Sequence, residues 1–406
     1  MVSTLYLTRN GLLEPLGQSQ VFAYLRGLSR DHAITLITYE KYEDWADDAR
    51  VAQAWASCAR HGIRWLPQIF RPRPRIIAPA LSMLRMVWLV WRETRGERAR
   101  LIHARSYIPA AVALAVHRLT GVPFIFDMRA LWPEELITAG RLKRGSILHR
   151  AIVAVERACL QEAAAVVSLT HAAVDHLKRE YPKELNGQKI VVIPTCADLD
   201  RFSPAQARAT GPLVHGCIGT ILSGWFRTDW LAAWMSAAAM DDFHARLNIV
   251  TRDDADRVRL ALDPTGALGD RLSIGLRAPE DMPETLRSHD LSVMFFSGGL
   301  SKLGSAPTRM AEVLGSGLPV VVNEGVGDVA RIVRQHRVGV IVAGPNPAQV
   351  RSALDALKTL MQDAELSARC RATAEKVFSL EAGTEAYAGI YTNLAERGHL
   401  CVDGRC

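Results

Sequence analysis

The sequence predicts an α/β protein built from two doubly wound parallel sheets, and three observations carry that prediction. Short, nearly continuous apolar runs alternate with amphipathic helical stretches, as in a parallel sheet covered on both faces. A polar break containing glycine and prolines, CADLDRFSPAQARATGP from Cys196 to Pro212, interrupts the alternation as a linker would. After the break the pattern restarts with the same opening of strand, glycine-containing loop and helix. A chain of 406 residues, nearly half of them apolar, has material for two cores.

In the first domain the expected strands are Leu5–Leu7, Ile34–Tyr39, Arg64–Ile69, Leu101–His103, Phe124–Asp127, Val166–Leu169 and Ile190–Ile193. Ile108–Leu119 and Ile147–Ala163 carry helical periodicity between them. The first strand runs into LTRNGLLEPLGQSQV, Leu7 to Val21, before Val21, Phe22, Tyr24, Leu25 and Leu28 repeat at helical spacing. A bare connection needs only about two to six residues, so this one is long. Gly17 stands where the helix would begin, and free N–H groups there favour an anion. A ligand-facing loop and an ordinary surface loop both fit the stretch.

In the second domain Leu213–Ile218 reads as a strand, TILSGWFRTD as the glycine loop and Trp230–Met240 as the helix. Strands follow at Leu247–Val250, Leu272–Ile274, Ser292–Phe296, Val320–Val322 and Val338–Val342. Such sheets bind ligands outside the carboxyl ends of their strands. Two of them facing each other make a cleft, with the loops after Leu7 and after Gly219 on opposite walls. Neither loop matches GxGxxG, which argues against a nicotinamide or flavin dehydrogenase.

The net charge of +7 suits an anionic partner, whether nucleotide, acidic lipid surface or nucleic acid. No nucleic-acid recognition module accompanies the charge, so that partner is not expected. Seven scattered cysteines without a CxxC pair argue against a disulfide framework or a zinc site. The terminal CVDGRC reads as a frayed tail rather than a prenylation box. Thr8, Arg9 and Asn10 interrupt the apolar start, so no signal peptide is expected and the predicted location is cytoplasmic.

The apolar segment IIAPALSMLRMVWLVW, Ile76 to Trp91, contains Pro79 and Arg85 and is shorter than the about 20 residues of a spanning helix. Arg71, Arg73, Arg75, Arg92, Arg95, Arg98 and Arg100 surround it, against Glu93 and Glu97. It reads either as a buried domain helix or as a tryptophan-bearing basic helix lying on an anionic bilayer. The second reading would set the protein at the inner face of a membrane.

The richest segment is SKLGSAPTRMAEVLGSGLPVVVNEGVGD, Ser301 to Asp328. Pro307 fits the first turn of a helix, with Ser305 just ahead. The free N–H groups and positive dipole end of such a start, with Lys302 and Arg309 close by, suit a diphosphate. Glu312 lies about one turn further on, where a carboxylate can accept hydrogen bonds from a vicinal diol such as a ribose. Gly315 and Gly317 end the helix and feed the strand PVVV. An exposed helix with ordinary charges would have similar letters.

These residues carry a resemblance. GLLEPLGQSQV, FDMRALWPEE at Phe126–Glu135, VVSLT followed by VIPTCADLDRF, the PTRMAEVLGSGLPVV block and GVGD together resemble a family 4 glycosyltransferase of the GT-B fold, over nearly the whole chain. The resemblance implies a retaining transferase that takes a sugar from a nucleotide diphosphate sugar without an active-site metal or further cofactor. The acceptor would be a glycan, a lipid-linked molecule or another hydroxyl compound. It also implies a first domain over 1–202, completed by a returning helix over about 379–400, and a nucleotide-sugar domain over 212–378. Gly17 and Gln18 of the opening loop would lie beneath the donor diphosphate.

By the same resemblance, Glu312 matches the ribose-binding second glutamate of a Glu-x7-Glu motif, whose first member falls at Gly304. Of the arginine and lysine many members carry after the second domain's first strand, only Arg227 is present. Asp127-Met128-Arg129 occupies the region of a histidine that touches the transferred sugar. The implied mechanism is front-face transfer, with Arg227 and Lys302 on the phosphates beside Ser305 and the amides near Thr308. Arg129 or Arg105 would reach the cleft, and Asp127 and Glu134 would orient hydroxyls, with a structural role equally open for Asp127. An epimerase of the same fold and a catalytically silent nucleotide-sugar binder remain as alternatives.

Overall fold

A computed structural model describes residues 1–69, 77–96, 98–205 and 211–396 of the chain. Within the helix Ile77–Arg95 side chains are described from Ser82 onward. The expectations placed on Arg71, Arg73, Arg75, Ile76, Glu97 and the terminal CVDGRC lie outside these residues.

The chain forms two compact units, one running to Pro194 and resuming at Leu380, the other Thr195–Ser379. The first contains β1 (Ser3–Leu7), β2 (Ala33–Glu40), β3 (Arg64–Ile69), β4 (Leu101–Arg105), β5 (Phe124–Asp127), β6 (Ala165–Ser168) and β7 (Ile190–Val192). Their spatial order is β3-β2-β1-β4-β5-β6-β7. The second contains β8 (Val214–Ile218), β9 (Arg246–Val250), β10 (Leu272–Gly275), β11 (Leu291–Met294), β12 (Val320–Asn323) and β13 (Gly339–Val342), ordered β10-β9-β8-β11-β12-β13. The ladders within both sheets are parallel. Each order reverses beside its first strand, between β1 and β4 and between β8 and β11. These are the switch points at which open α/β sheets hold ligands.

The apolar runs follow from burial on both faces. Phe124, Ile125 and Phe126 of β5 and Val320, Val321 and Val322 of β12 expose no surface. The helices expected over Ile108–Leu119 and Ile147–Ala163 span Tyr107–Thr120 and Ile147–Glu162. The Ser146 hydroxyl caps the latter by accepting the His149 N–H. β11 stops at Met294 instead of reaching Phe296, because the Phe296 N–H turns to the Asn323 side chain at 2.9 Å.

The chain passes between units at Pro194–Thr195 rather than after 202. Cys196–Phe202, expected at the start of a linker, is packed. The Ala197 N–H donates to the Phe378 carbonyl, and Arg371 donates to the carbonyls of Leu199, Phe202 and Gly315. One guanidinium thus satisfies three carbonyls and fixes a segment whose polar letters read as loop. The helix Leu380–Glu396 returns to the first unit and packs on Ala23–Leu28. The approach is close: a Cβ on Gly27 would come within 2.5 Å of the Thr384 methyl.

Candidate functional site

In the second unit, the loops after β8 and β11 flank the switch point and are stitched together. The Arg227 N–H donates to the Phe295 carbonyl, the Ser297 N–H to the Trp225 carbonyl and the Ser297 hydroxyl to the Gly224 carbonyl. Gly219 (φ 149°) and Gly299 (φ 116°) make the turns in backbone conformations that side chains rarely adopt. The stitching sets the Lys302 ammonium 3.7 Å from the centroid of the Trp225 ring, a cation–π contact. A third loop, after β12, closes on the same place: the Gly327 N–H donates to the Lys302 carbonyl at 2.8 Å.

Beyond Lys302 the helix Thr308–Gly315 begins, one residue later than expected, with Pro307 as its N-cap. Proline has no side-chain acceptor, and no side chain caps this end. The Met310 N–H donates to the Pro307 carbonyl at 3.1 Å, and the positive dipole end and remaining N–H groups of the first turn suit an anion. Ser305 and Thr308 are half-buried beside it. Glu312 lies one turn in and is ion-paired with Arg309. Burial pushes its carboxyl up, against the opposing pull of Arg309 and Arg201. Lys302, Ser305, Thr308 and Glu312, singled out in the sequence, lie along the segment from the β11 loop into this helix, and Trp225 stands against Lys302.

Arg227 differs from expectation. Its guanidinium makes a bidentate pair with Asp229, at 2.9 and 2.6 Å, and lies over the Trp230 ring. The Asp229 pair raises its pKa. The fork expected to meet phosphates is engaged on the first turn of its own helix.

The loop after β1 in the first unit also differs. Glu40, at the end of β2, is buried and accepts the N–H groups of Leu12 and Leu13 at 2.7 and 3.0 Å. Gly17 is required by the loop itself, since a Cβ there would lie 1.9 Å from the Gly11 carbonyl oxygen. Gln18 donates its side-chain amide to the Leu12 carbonyl at 2.6 Å. Gly17 and Gln18, expected against a diphosphate, also hold the loop's shape.

At the ends of β4 and β5, Asp127 has no exposed surface. It accepts a hydrogen bond from the Tyr387 hydroxyl at 3.1 Å, and His103 Nε2 lies 3.5 Å away. Arg105 and Arg129 approach at 3.6 and 3.7 Å. Arg129, held at φ 55°, also donates to the Tyr387 hydroxyl. His103 Nδ1 meets the Tyr391 hydroxyl at 2.7 Å. Burial pushes the Asp127 carboxyl up, but Arg129, His103 and Arg105 overcome it and hold it at about 2. Burial pushes the His103 imidazole down, against the opposing pull of Asp127. Tyr387, His103 and Arg105 all approach Asp127 Oδ2, whereas the buried Oδ1 has no hydrogen-bond partner and lies 3.7 Å from Arg129. Asp127 balances two arginines and anchors the returning helix. Glu134, the other carboxylate expected to orient hydroxyls, is ion-paired with Arg144 at 2.5 Å.

Sequence reasoning did not single out Tyr387, Tyr391, Glu40 or Trp225. Only Trp225, inside the glycine loop, had a local signal; Tyr387 meets Asp127 across 260 positions. Among the described residues, no group of three or more His, Cys, Asp or Glu is placed to hold a metal ion.

Comparison with known proteins fits this geometry. Residues 18–196 match the glycosyl transferase 4-like domain. No curated protein matches the sequence. Among solved structures, Anabaena Alr3699/HepE in complex with UDP is 15% identical, with a TM-score of 0.70 over 97% of this chain and 100% of that one. A glycosyltransferase from Rickettsia africae is 14% identical, with a TM-score of 0.69 over 97% and 99%. WaaG, a glycosyltransferase involved in lipopolysaccharide biosynthesis, is 15% identical, with a TM-score of 0.64 over 96% and 99%. These likenesses show the fold, which is GT-B.

Proposed function

We propose that the protein is a retaining glycosyltransferase that moves a sugar from a nucleotide diphosphate sugar to a glycan, lipid-linked or other acceptor, with the donor on the second unit. One observation carries this reading: the stitched loops at the β8/β11 switch point gather Trp225, Lys302, Ser305 and an uncapped helix start. The glycosyl transferase 4-like match of the first unit and the UDP bound by HepE support it.

In this reading the donor diphosphate lies on the first-turn N–H groups of Thr308–Gly315, with Lys302 as the mobile charge beside it. Glu312 receives the ribose hydroxyls. In the transfer step the bond from the sugar's anomeric carbon to the phosphate oxygen breaks. The acceptor oxygen bonds that carbon on the same face, and its proton passes to the departing diphosphate. The protein's work is electrostatic and positional: it stabilises charge growing on the phosphate and aligns both reactants. Arg227 would join the phosphates only after leaving Asp229.

Incubation with a panel of nucleotide sugars, measuring released nucleoside diphosphate, tests the proposal. One donor class should turn over, and Lys302→Ala should lower its rate at least about tenfold, against Lys178→Ala as a control on an exposed helix position. Binding without release for every donor and acceptor offered would leave the silent binder in its place.

A further inference from the structure

Helix Ile77–Arg95 carries a face that the donor chemistry does not use. Met86, Leu89, Val90, Glu93 and Thr94 are buried, and they share one side of the helix. Glu93 belongs to that side because Arg64 and Arg92 both pair with its carboxylate. On the opposite side Leu84 is 66% exposed and Trp88 52% exposed. Arg85, Arg92 and Arg95 are exposed with them. At about 3.6 residues per turn, Leu84, Arg85, Trp88, Arg92 and Arg95 fall within an arc of about 100°.

Two arginines of this arc lie over tryptophan rings. Arg92 lies 4.9 Å over the Trp88 ring and Arg95 4.9 Å over Trp91, each one helical turn along. Each guanidinium is thereby held beside an aromatic ring at the surface. No described acidic side chain of the helix shares the arc, since Glu93 points inward. A face with leucine and tryptophan beside Arg85, Arg95 and the Glu93-paired Arg92 matches an anionic lipid surface, where rings sit at headgroup depth and arginines meet phosphates. No helix among the described residues is long and apolar enough to cross a membrane, so the contact would lie in the interface plane.

We propose that this face docks the protein on an anionic bilayer, which would present a lipid-linked acceptor to the first unit. The acceptor clause rests on the transferase reading; docking itself does not, because it is read without turnover. The test is co-sedimentation of the full chain with vesicles of phosphatidylcholine, alone or with roughly one-third phosphatidylserine. Binding should require the anionic lipid and be lost at about 1 M salt, where the Debye length is about 3 Å.

The triple variant Arg85→Gln/Arg92→Gln/Arg95→Gln should partition about a hundredfold more weakly. It should remain folded, because Glu93 keeps Arg64. Arg257→Gln/Arg277→Gln/Arg351→Gln removes the same charge from exposed positions of the second unit and should bind as wild type does. Leu84→Ala/Trp88→Ala should bind about tenfold more weakly. Equal recovery with neutral and anionic vesicles, or equal loss in both arginine triples, would overturn the proposal.

Discussion

At the β1/β4 switch point of the first unit, charge is abundant and sealed. Asp127 lies between Arg105 and Arg129, with Tyr387 and His103 on its remaining sides, and the opening loop is tied to Glu40. At the β8/β11 switch point of the second unit, Trp225, Lys302, Ser305 and Thr308 remain half-buried around a helix start that no side chain caps. The same strand order therefore supports two uses of polar groups. In the first unit they hold a distant segment of chain in place; in the second they gather beside a helix start that has no side-chain cap. A buried ion pair earns little net stability but is expensive to break, which suits an anchor. A helix start without a side-chain cap favours an anion, which suits a binding site.

Substitutions on the two sides should separate these uses. Asp127→Ala leaves Arg105 and Arg129 buried without their carboxylate and should cost about 3–5 kcal/mol of stability, read by denaturant unfolding. A loss below about 1 kcal/mol would mean that the anchor is not structural. Glu312→Ala should do the opposite: unfolding nearly unchanged, but nucleoside diphosphate affinity about ten- to a hundredfold weaker by calorimetry, or about 1.5–3 kcal/mol. Unchanged affinity would remove Glu312 from the donor site.

The acid limb sharpens the comparison further. The folded pKa of Asp127, about 2, lies below that of an unfolded aspartate, so its contribution is present above about pH 4 and lost as pH falls toward 2. Between pH 5 and 2 the wild type should lose about 2 kcal/mol more than Asp127→Asn does. Parallel curves would place the acid sensitivity elsewhere. The smallest effect is expected for Tyr387→Phe, which deletes one hydroxyl from the anchor and should cost about 1 kcal/mol of stability. Hydrogen exchange in Leu380–Glu396 should rise in that variant, and unchanged exchange would argue that the apolar packing alone holds the helix.

Much of the fold was legible because its signals are local. Continuous apolar strands such as Phe124–Asp127 announce burial on both faces, and the Gly315–Gly317 stop after a helical stretch is written in adjacent letters. The loop and helix start of the second unit's candidate site were legible for the same reason: Lys302, Ser305, Thr308 and Glu312 lie within eleven residues of one another. The first unit's site was misjudged where partners are remote. Nothing near Asp127 tells of Tyr387, and nothing near Gly17 shows that the Gly11 carbonyl will fill the space of its missing side chain. Arg227 has its partner at short range, Asp229 two residues on.

The central claim is that the second unit holds the donor nucleotide through the loops at its switch point. Hydrogen–deuterium exchange of the full chain with a panel of saturating nucleoside diphosphates tests this most directly. The account predicts that at least one of them protects amides in Gly219–Arg227 and Gly298–Glu312, while those around Asp127 and the Gly11–Gly17 loop stay unchanged. Protection confined to the first unit, or none with any nucleotide, would contradict it.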